Sequence, residues 1–336
     1  MKPTAVTLFG LICGLQITCV PAAGADAFDQ NRKLGRGVNI IGYDPIWRSR
    51  EQGRFQARHF HAIKEAGFTS VRVNLHPFRH MIRENGWQLR QSWMETLDWV
   101  LNSATQESLM VILDLHEFNA VGNDPDGTKE QFMAFWKQLS DHCRNAPETV
   151  LFEILNEPCN KLTPELWNKW LADALAIIRE KNPDRTVVIG PAFWNSVDHI
   201  NELVLPETDR NIIVTVHYYK PMAFTHQGAA WTGQADKTGI EWKGTSEELA
   251  AIDVDFDKVN SWAKHHSRPI FLGEFGAYDK APMDSRVRYL SAVARAAEKR
   301  NWSWAYWQFD SDFILWDMKQ DKWVEPILRA LIPERR

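Results

Sequence analysis

The chain has 336 residues, of which 24% are charged and 44% are hydrophobic, and its formal net charge is −4. These values are ordinary for a globular protein, and the length suits either one large barrel or two smaller domains. A small acidic excess without any run of like charges argues against a nucleic-acid-binding protein.

The first 25 residues are predicted to form a signal peptide. Lys2 supplies a positive charge, residues 5–20 are mostly apolar, and Ala23-Gly24-Ala25 offers the small side chains that a signal peptidase requires. The apolar run is too short to span a membrane, and no later stretch of about 20 apolar residues follows it. We therefore expect a secreted or periplasmic protein with no membrane attachment after processing and a single domain over residues 26–336.

Eight short runs rich in Val, Ile, Leu and Phe recur along the mature chain. They lack polar alternation, as expected for strands that are covered on both faces. Strands alternating with helices indicate a parallel sheet, and eight repeats predict a closed (β/α)8 barrel, the TIM barrel class of α/β folds. An open doubly wound sheet is disfavoured because no glycine-rich turn follows the first run. The predicted strands span residues 37–41, 70–74, 110–116, 150–156, 186–190, 212–217, 269–274 and 303–308.

Amphipathic segments separate these strands. The clearest begins after Thr163, which with Pro164 provides an N-cap and a favoured first-turn proline, and its apolar residues follow the i, i+3, i+4 rule through Ile178. A connection of about thirty residues separates Tyr219 from the helix predicted near Asp255, and so long a loop usually has a binding role. The other predicted helices span residues 54–66, 92–106, 129–145, 255–266 and 284–300.

Polar or ionisable residues stand at the C-terminal ends of six predicted strands. In a closed barrel these ends surround one mouth, which is where active sites of this fold lie. Asp114 and Glu153 precede two of the ends by an even number of residues, so they are expected to face inward as supporting groups. The strand-end residues are Arg72, Asn74, His116, Glu117, Asn156, Glu157, His217, Tyr219, Glu274, Trp307 and Gln308.

Glu157 and Glu274 form the natural catalytic pair among these residues. Cleavage of a glycosidic bond needs one carboxylic acid to protonate the leaving oxygen and one carboxylate on the other side of the sugar ring. A separation of about 5 Å would indicate retention of configuration, and about 6.5–9.5 Å would indicate inversion. The residue types alone leave open both this distance and which glutamate neighbours Arg72.

The motifs around these residues resemble glycoside hydrolase family 5, the cellulase family. The matching segments are Asn156-Glu157-Pro158 after Leu-Phe-Glu-Ile-Leu, and Glu274 in Pro-Ile-Phe-Leu-Gly-Glu-Phe-Gly. The resemblance implies a retaining mechanism with Glu157 as acid/base and Glu274 as nucleophile. Further matching positions, which the resemblance assigns to the active site, are Arg72, His116, Asn156, His217, Tyr219 and Trp307.

The segment from Phe224 to Trp231, which contains His226, is similar to a loop of bacterial endoglucanases, and this favours a β-1,4-glucan substrate. Tryptophan is abundant, with 16 residues, and aromatic faces can stack on sugar rings. We therefore predict substrate contacts from Trp47, Trp194, Trp231, His226 and Trp307. A β-mannanase, a xyloglucanase and an exo-β-glucosidase of the same fold remain open alternatives.

Two other classes of barrel protein fit the sequence less well. A non-catalytic carbohydrate-binding barrel would not need both glutamates, and an aldolase or phosphate-handling isomerase would need a strand-end lysine or a phosphate site. No lysine ends any predicted strand, and Asp310 and Asp312 after the last one would repel phosphate. The pair His116-Glu117 lacks a second histidine at zinc-helix spacing, so we predict no metal and no cofactor. We expect a monomer.

Overall fold

The computed structural model describes residues 26–333 of the chain. The predicted signal peptide lies outside these residues. No helix between residues 26 and 333 is both long enough and apolar enough to cross a membrane.

Eight parallel strands close into one barrel in sequence order, with the last strand paired to the first through Trp304 and Arg36. This confirms the predicted (β/α)8 fold. Most strand ends agree with the prediction to within one or two residues. The fourth strand ends three residues earlier, at Glu153, because the chain bends at Ile154. The strands are β1 Arg36–Ile40, β2 Ser70–Leu75, β3 Met110–Leu115, β4 Val150–Glu153, β5 Val187–Ile189, β6 Ile212–Tyr218, β7 Ile270–Phe275 and β8 Ser303–Tyr306.

The barrel interior changes from apolar to charged along its axis. Strand side chains alternate in direction, so positions two apart on one strand both face inward. On β3, Met110 and Ile112 belong to an apolar layer near the N-terminal end, whereas Asp114 stands in the next layer toward the mouth. The helix Ala27–Leu34 contributes Ala27 and Leu34 to the same apolar layer. The strands thus build a dry base beneath a polar site.

Helices cover the outside of the barrel. Thr163 caps the helix Pro164–Lys181 by accepting a hydrogen bond from the Leu166 N–H, as predicted. The helix expected to begin near Asp255 begins instead at Ser246, because Thr245 and Glu248 form a capping box. The long connection after β6 is correspondingly shorter. The helices are Ala27–Leu34, Ala57–Glu65, Gln91–Gln106, Phe118–Asn123, Pro125–His142, Pro164–Lys181, Ala192–Asn195, Met222–Thr225, Ser246–His266, Met283–Lys299 and Glu325–Leu331, with 3-10 turns at Pro45–Trp47, Arg50–Gln52, Phe78–His80, Arg83–Asn85 and Val197–Glu202.

The connections after β2 and β8 each contain a small antiparallel hairpin. The first pairs Met81–Ile82 with Gln88–Leu89, and the second pairs Trp316–Asp317 with Lys322–Trp323. Cys143 and Cys159 are both buried free thiols.

Candidate active site

Arg72 occupies the centre of the charged layer and is fully buried. Its Nε and Nη2 donate to the two carboxylate oxygens of Glu153 at 2.7 and 2.8 Å. Its Nη1 donates to Glu274 Oε1 at 2.9 Å, and its Nη2 donates to Asn156 Oδ1 at 2.7 Å. The bidentate pair fixes the guanidinium plane, so Arg72 presents a set of donors to Glu274 and Asn156 in a defined orientation.

Glu157 and Glu274 converge on His217 at the mouth of the barrel. His217 Nδ1 is hydrogen-bonded to Glu157 Oε1 at 2.7 Å and lies 3.6 Å from Glu274 Oε2. One oxygen of each glutamate and this nitrogen all lie within 4.8 Å of one another. The two carboxyl groups therefore face one gap.

The two glutamates have different electrostatic surroundings. Burial raises the pKa of Glu274 to about 7, but Arg72 and the Tyr219 hydroxyl, which donates to Oε2 at 2.9 Å, act to lower that pKa. Burial, followed by repulsion from Glu274, raises the pKa of Glu157 well above its ordinary value. Glu274 is thus the carboxylate that is better stabilised in its ionised form.

His116 directly follows β3, which lies across the barrel from β7, the strand that carries Glu274. Its Nδ1 is hydrogen-bonded to Asp114 Oδ2 at 2.6 Å, and Asn74 donates to the same oxygen at 3.0 Å. Its ring stacks on Trp307 with centroids 5.4 Å apart and an interplanar angle of 8°. Burial lowers the pKa of His116 well below its ordinary value, so its ring is neutral. The stacked rings of His116 and Trp307 form one flat wall of the cleft that the two glutamates also line.

The glutamates line a cleft of about 750 Å³. Trp194 and Trp231 are 46% and 56% exposed on its walls, so their faces are available to a ligand. Trp231 also packs edge-on against Tyr278, with centroids 5.1 Å apart. A cleft open to solvent with aromatic walls and a polar floor suits a polymer of sugar rings.

Trp47 and His226 are placed differently from the exposed aromatics. Trp47 is only 5% exposed, stacks on Trp93 at 5.1 Å, and donates its indole N–H to the Asn74 carbonyl. It therefore packs mainly in the core, although it also borders a second cavity of about 480 Å³ that shares Tyr43 with the main cleft. His226 lines the main cleft but is nearly buried, edge-on to Tyr219 at 4.9 Å.

The chain matches a known family of proteins over most of its length. The family model for cellulase, glycosyl hydrolase family 5, matches residues 32–312. The chain belongs to that family. Over 317 residues it is 28% identical to Endoglucanase H of Acetivibrio thermocellus; the match covers 91% of this chain and 33% of that relative. The chain thus spans about a third of the length of this curated relative.

Solved structures of family 5 proteins share the fold closely. Thermotoga maritima Cel5A in complex with mannotriose superposes with a TM-score of 0.87 at 38% identity, over 91% of this chain and 100% of that one. The same protein in complex with cellobiose gives the same TM-score, identity and coverage. The family named from the sequence motifs is therefore confirmed.

Several polar residues of this family 5 site were not singled out from the sequence. Asn39 on β1 accepts from Arg72 Nη1 at 2.8 Å, and Asn195 after β5 contacts His217. Tyr43 after β1 is 59% exposed and lies edge-on to Trp307. Asn39 could have been identified from the sequence, because it is a polar residue inside an otherwise apolar strand and a buried amide needs hydrogen-bond partners.

Glu157, His217 and Glu274 also place three potential metal-ligand atoms together. Hydrogen bonding accounts for this grouping. His217 Nδ1 is hydrogen-bonded to Glu157 Oε1 at 2.7 Å, and the Tyr219 hydroxyl donates to Glu274 Oε2. To bind an ion, His217 Nδ1 would have to give up its hydrogen bond to Glu157.

Proposed function

We propose that this chain is a retaining endo-β-1,4-glucanase in which Glu157 is the acid/base and Glu274 is the nucleophile. Retention is supported by the spacing of the two carboxylates, whose nearest oxygens are within 4.8 Å. A nucleophile on one side of a sugar ring and an acid on the other could both reach a single glycosidic bond at this spacing.

The hydrogen-bond partners of the two glutamates support this assignment of roles. A nucleophile must be ionised, and Glu274 accepts hydrogen bonds from Arg72 and Tyr219, which favour the carboxylate form. An acid/base must hold a proton near neutral pH, and Glu157 is partly buried beside another carboxylate; both factors raise its pKa.

In the first step, Glu274 forms a bond to the anomeric carbon while the bond from that carbon to the leaving oxygen breaks. The proton of Glu157 moves to the leaving oxygen, so the departing sugar leaves as a neutral alcohol. In the second step, Glu157 takes a proton from water, the water oxygen bonds to the anomeric carbon, and Glu274 is released as a carboxylate. Two inversions give net retention.

β-1,4-Glucan is the proposed substrate because relatives of this chain are named endoglucanases and Cel5A is described in complex with cellobiose. β-1,4-Mannan is the second candidate, since Cel5A is also described in complex with mannotriose. Exposed Trp194 and Trp231 would contact either sugar through the apolar faces of its rings. We further propose a secreted or periplasmic monomer that needs no cofactor, its export following from the predicted signal sequence.

A panel of soluble polysaccharides tests the function. The mature chain is incubated with carboxymethylcellulose, mixed-linkage glucan, mannan, xyloglucan and xylan, and reducing ends and product sizes are measured. We expect rapid production of mixed oligosaccharides from the two glucans. Release of a single small product would indicate exo action, and faster cleavage of mannan would indicate the second candidate.

The variant Glu274→Ala separates an enzyme from a carbohydrate-binding barrel. An enzyme loses nearly all turnover when the nucleophile is removed, while affinity for the polymer is retained. Absence of turnover by the unaltered chain on every polymer, together with measurable binding, would overturn the hydrolase proposal.

A further inference from the structure

Asn195 lies in an unusual backbone turn between β5 and β6. Phe193, Trp194 and Asn195 all have positive φ values, at 56°, 60° and 53°. Non-glycine residues seldom adopt this left-handed conformation, although asparagine tolerates it better than most. The turn places the buried Asn195 side chain under the catalytic cleft, while the preceding aromatic rings face the solvent. Residues in such sparsely populated backbone conformations cluster at functional sites.

The orientation of the Asn195 amide is fixed by what surrounds it. One end of the amide faces the backbone carbonyl of Asn156, which can only accept a hydrogen bond. The atom at that end must therefore be the Nδ2 amino group. A methyl group on Gly190 would overlap the opposite end, the Oδ1 atom, so the amide fits against a position that only glycine leaves open.

The same Nδ2 group lies 3.3 Å from His217 Nε2. An amino group can only donate, so Nε2 must be the unprotonated, accepting nitrogen of a neutral imidazole. His217 is neutral, since burial and the charge of Arg72 lower its pKa well below the ordinary value. Its single ring proton is then on Nδ1, which lies 2.7 Å from Glu157 Oε1.

This tautomer decides which oxygen of Glu157 carries the catalytic proton. Oε1 accepts from His217 Nδ1–H, so the acidic proton of Glu157 is held on Oε2. With the opposite tautomer, a bare Nδ1 would accept the proton of Glu157 and draw it away from the leaving oxygen. The donor on Asn195 thus controls a proton two residues further along the network.

We propose that Asn195 is a positioning residue that sets the tautomer of His217 and thereby directs the Glu157 proton toward the substrate. This rests on the proposed function for its kinetic consequence, but the tautomer itself is a property of the resting protein. The two can therefore be tested separately.

The tautomer is measured by long-range ¹H–¹⁵N spectra of protein labelled with ¹⁵N-histidine. The His217 signals are assigned from their absence in His217→Gln. We expect a protonated Nδ1 and an unprotonated Nε2 in the unaltered protein. Protonation at Nε2 would overturn the proposal, whether or not any variant folds and whether or not the chain hydrolyses glucan.

The kinetic test uses Asn195→Gly, since glycine removes the amide and accepts the left-handed backbone without strain. We expect kcat on cellotetraose to fall about tenfold or more, because part of the general-acid contribution is lost. The first step with 2,4-dinitrophenyl β-cellobioside, measured as kcat/KM, should change by less than about threefold, because this leaving group needs no proton.

Asn301→Gly is the matched control, because Asn301 has the same residue type and a φ of 59° but lies after the helix Met283–Lys299. It should leave both substrates and the His217 tautomer unchanged. Parallel losses on both substrates in Asn195→Gly would show a purely structural role and overturn the proposal. If the unaltered chain cleaves neither substrate, the proposed function fails while the tautomer assignment is still decided by the spectra.

Discussion

The Tyr219 hydroxyl donates to Oε2 of Glu274 at 2.9 Å, and this contact is matched by Arg72 on the other oxygen of the same carboxylate. Both oxygens of Glu274 are thus bonded by groups that favour its ionised form. These contacts oppose burial, which raises the pKa of Glu274 to about 7. The balance between them should set the acid limb of the pH profile.

Replacing Tyr219 with phenylalanine removes one of these contacts. The ionised form of Glu274 loses a donor, so its pKa rises and the acid limb of kcat/KM moves to higher pH. A shift of about one pH unit is expected, because a hydrogen bond to a charged group contributes about 1.5 kcal/mol or more. Rates on soluble glucan between pH 4 and 9 measure it. Tyr289→Phe removes a buried hydroxyl elsewhere and serves as the control; an unmoved acid limb in Tyr219→Phe would contradict the assignment.

Glu157→Gln should discriminate between substrates by leaving group. Glutamine cannot protonate the leaving oxygen, so kcat on cellotetraose is expected to fall by about 10²–10⁴-fold. The first step with a dinitrophenyl cellobioside should be much less affected, and a covalent intermediate should accumulate because no base activates water. Stopped-flow release of dinitrophenol and mass spectrometry of the quenched protein measure these effects. Equal losses on both substrates would exclude Glu157 as the acid.

Trp47 and Trp194 should respond in opposite ways to substitution by alanine. Trp47 is packed in the core, so Trp47→Ala is expected to lower the free energy of unfolding by about 3–5 kcal/mol. Trp194 is 46% exposed, and Trp194→Ala should change that free energy by less than about 0.5 kcal/mol. Its effect should appear as a severalfold higher KM for cellohexaose. Urea unfolding and initial rates check both, and the reverse pattern would refute this division.

Arg72→Met should lower the free energy of unfolding, because several buried carboxylates lose the cation that they share. Asp114, Glu153 and Glu274 would lose their shared cation, and a loss of about 3–5 kcal/mol in unfolding free energy is expected at pH 8. Burial already raises the pKa of Glu153 to about 7. Carboxylates with raised pKa values bind more protons in the folded state than in the unfolded state, so stability falls as pH rises.

The deficit of Arg72→Met should therefore shrink as the pH is lowered from 8 through 7 toward 4.5, the ordinary range of a glutamate. Denaturant titrations at several pH values measure this trend. Arg144→Met removes an arginine from an exposed ion pair with Asp141 and should cost less than about 1 kcal/mol. A pH-independent deficit in Arg72→Met would indicate lost packing volume as the cause.

Local signals in the sequence were enough to predict the barrel. Continuous apolar runs located all eight strands, and Thr163 with Pro164 located a helix start, because hydrogen-bonding and burial preferences at these positions involve near neighbours. The strand-end rule also brought Arg72, Glu157 and Glu274 to one mouth, since parallel strands in a closed barrel must end on the same face. The start of the helix at Ser246 was missed, although Thr245 and Glu248 carried a recognisable capping signal.

Only the tertiary structure decided how these side chains pair. Trp47 and Trp194 both follow strands, yet one packs against Trp93 and the other faces the cleft, because the packing partner comes from a distant helix. The bond from Arg72 to Glu274 joins residues 202 apart in sequence. Such distances depend on how the whole barrel closes, and no local pattern of residues contains that information.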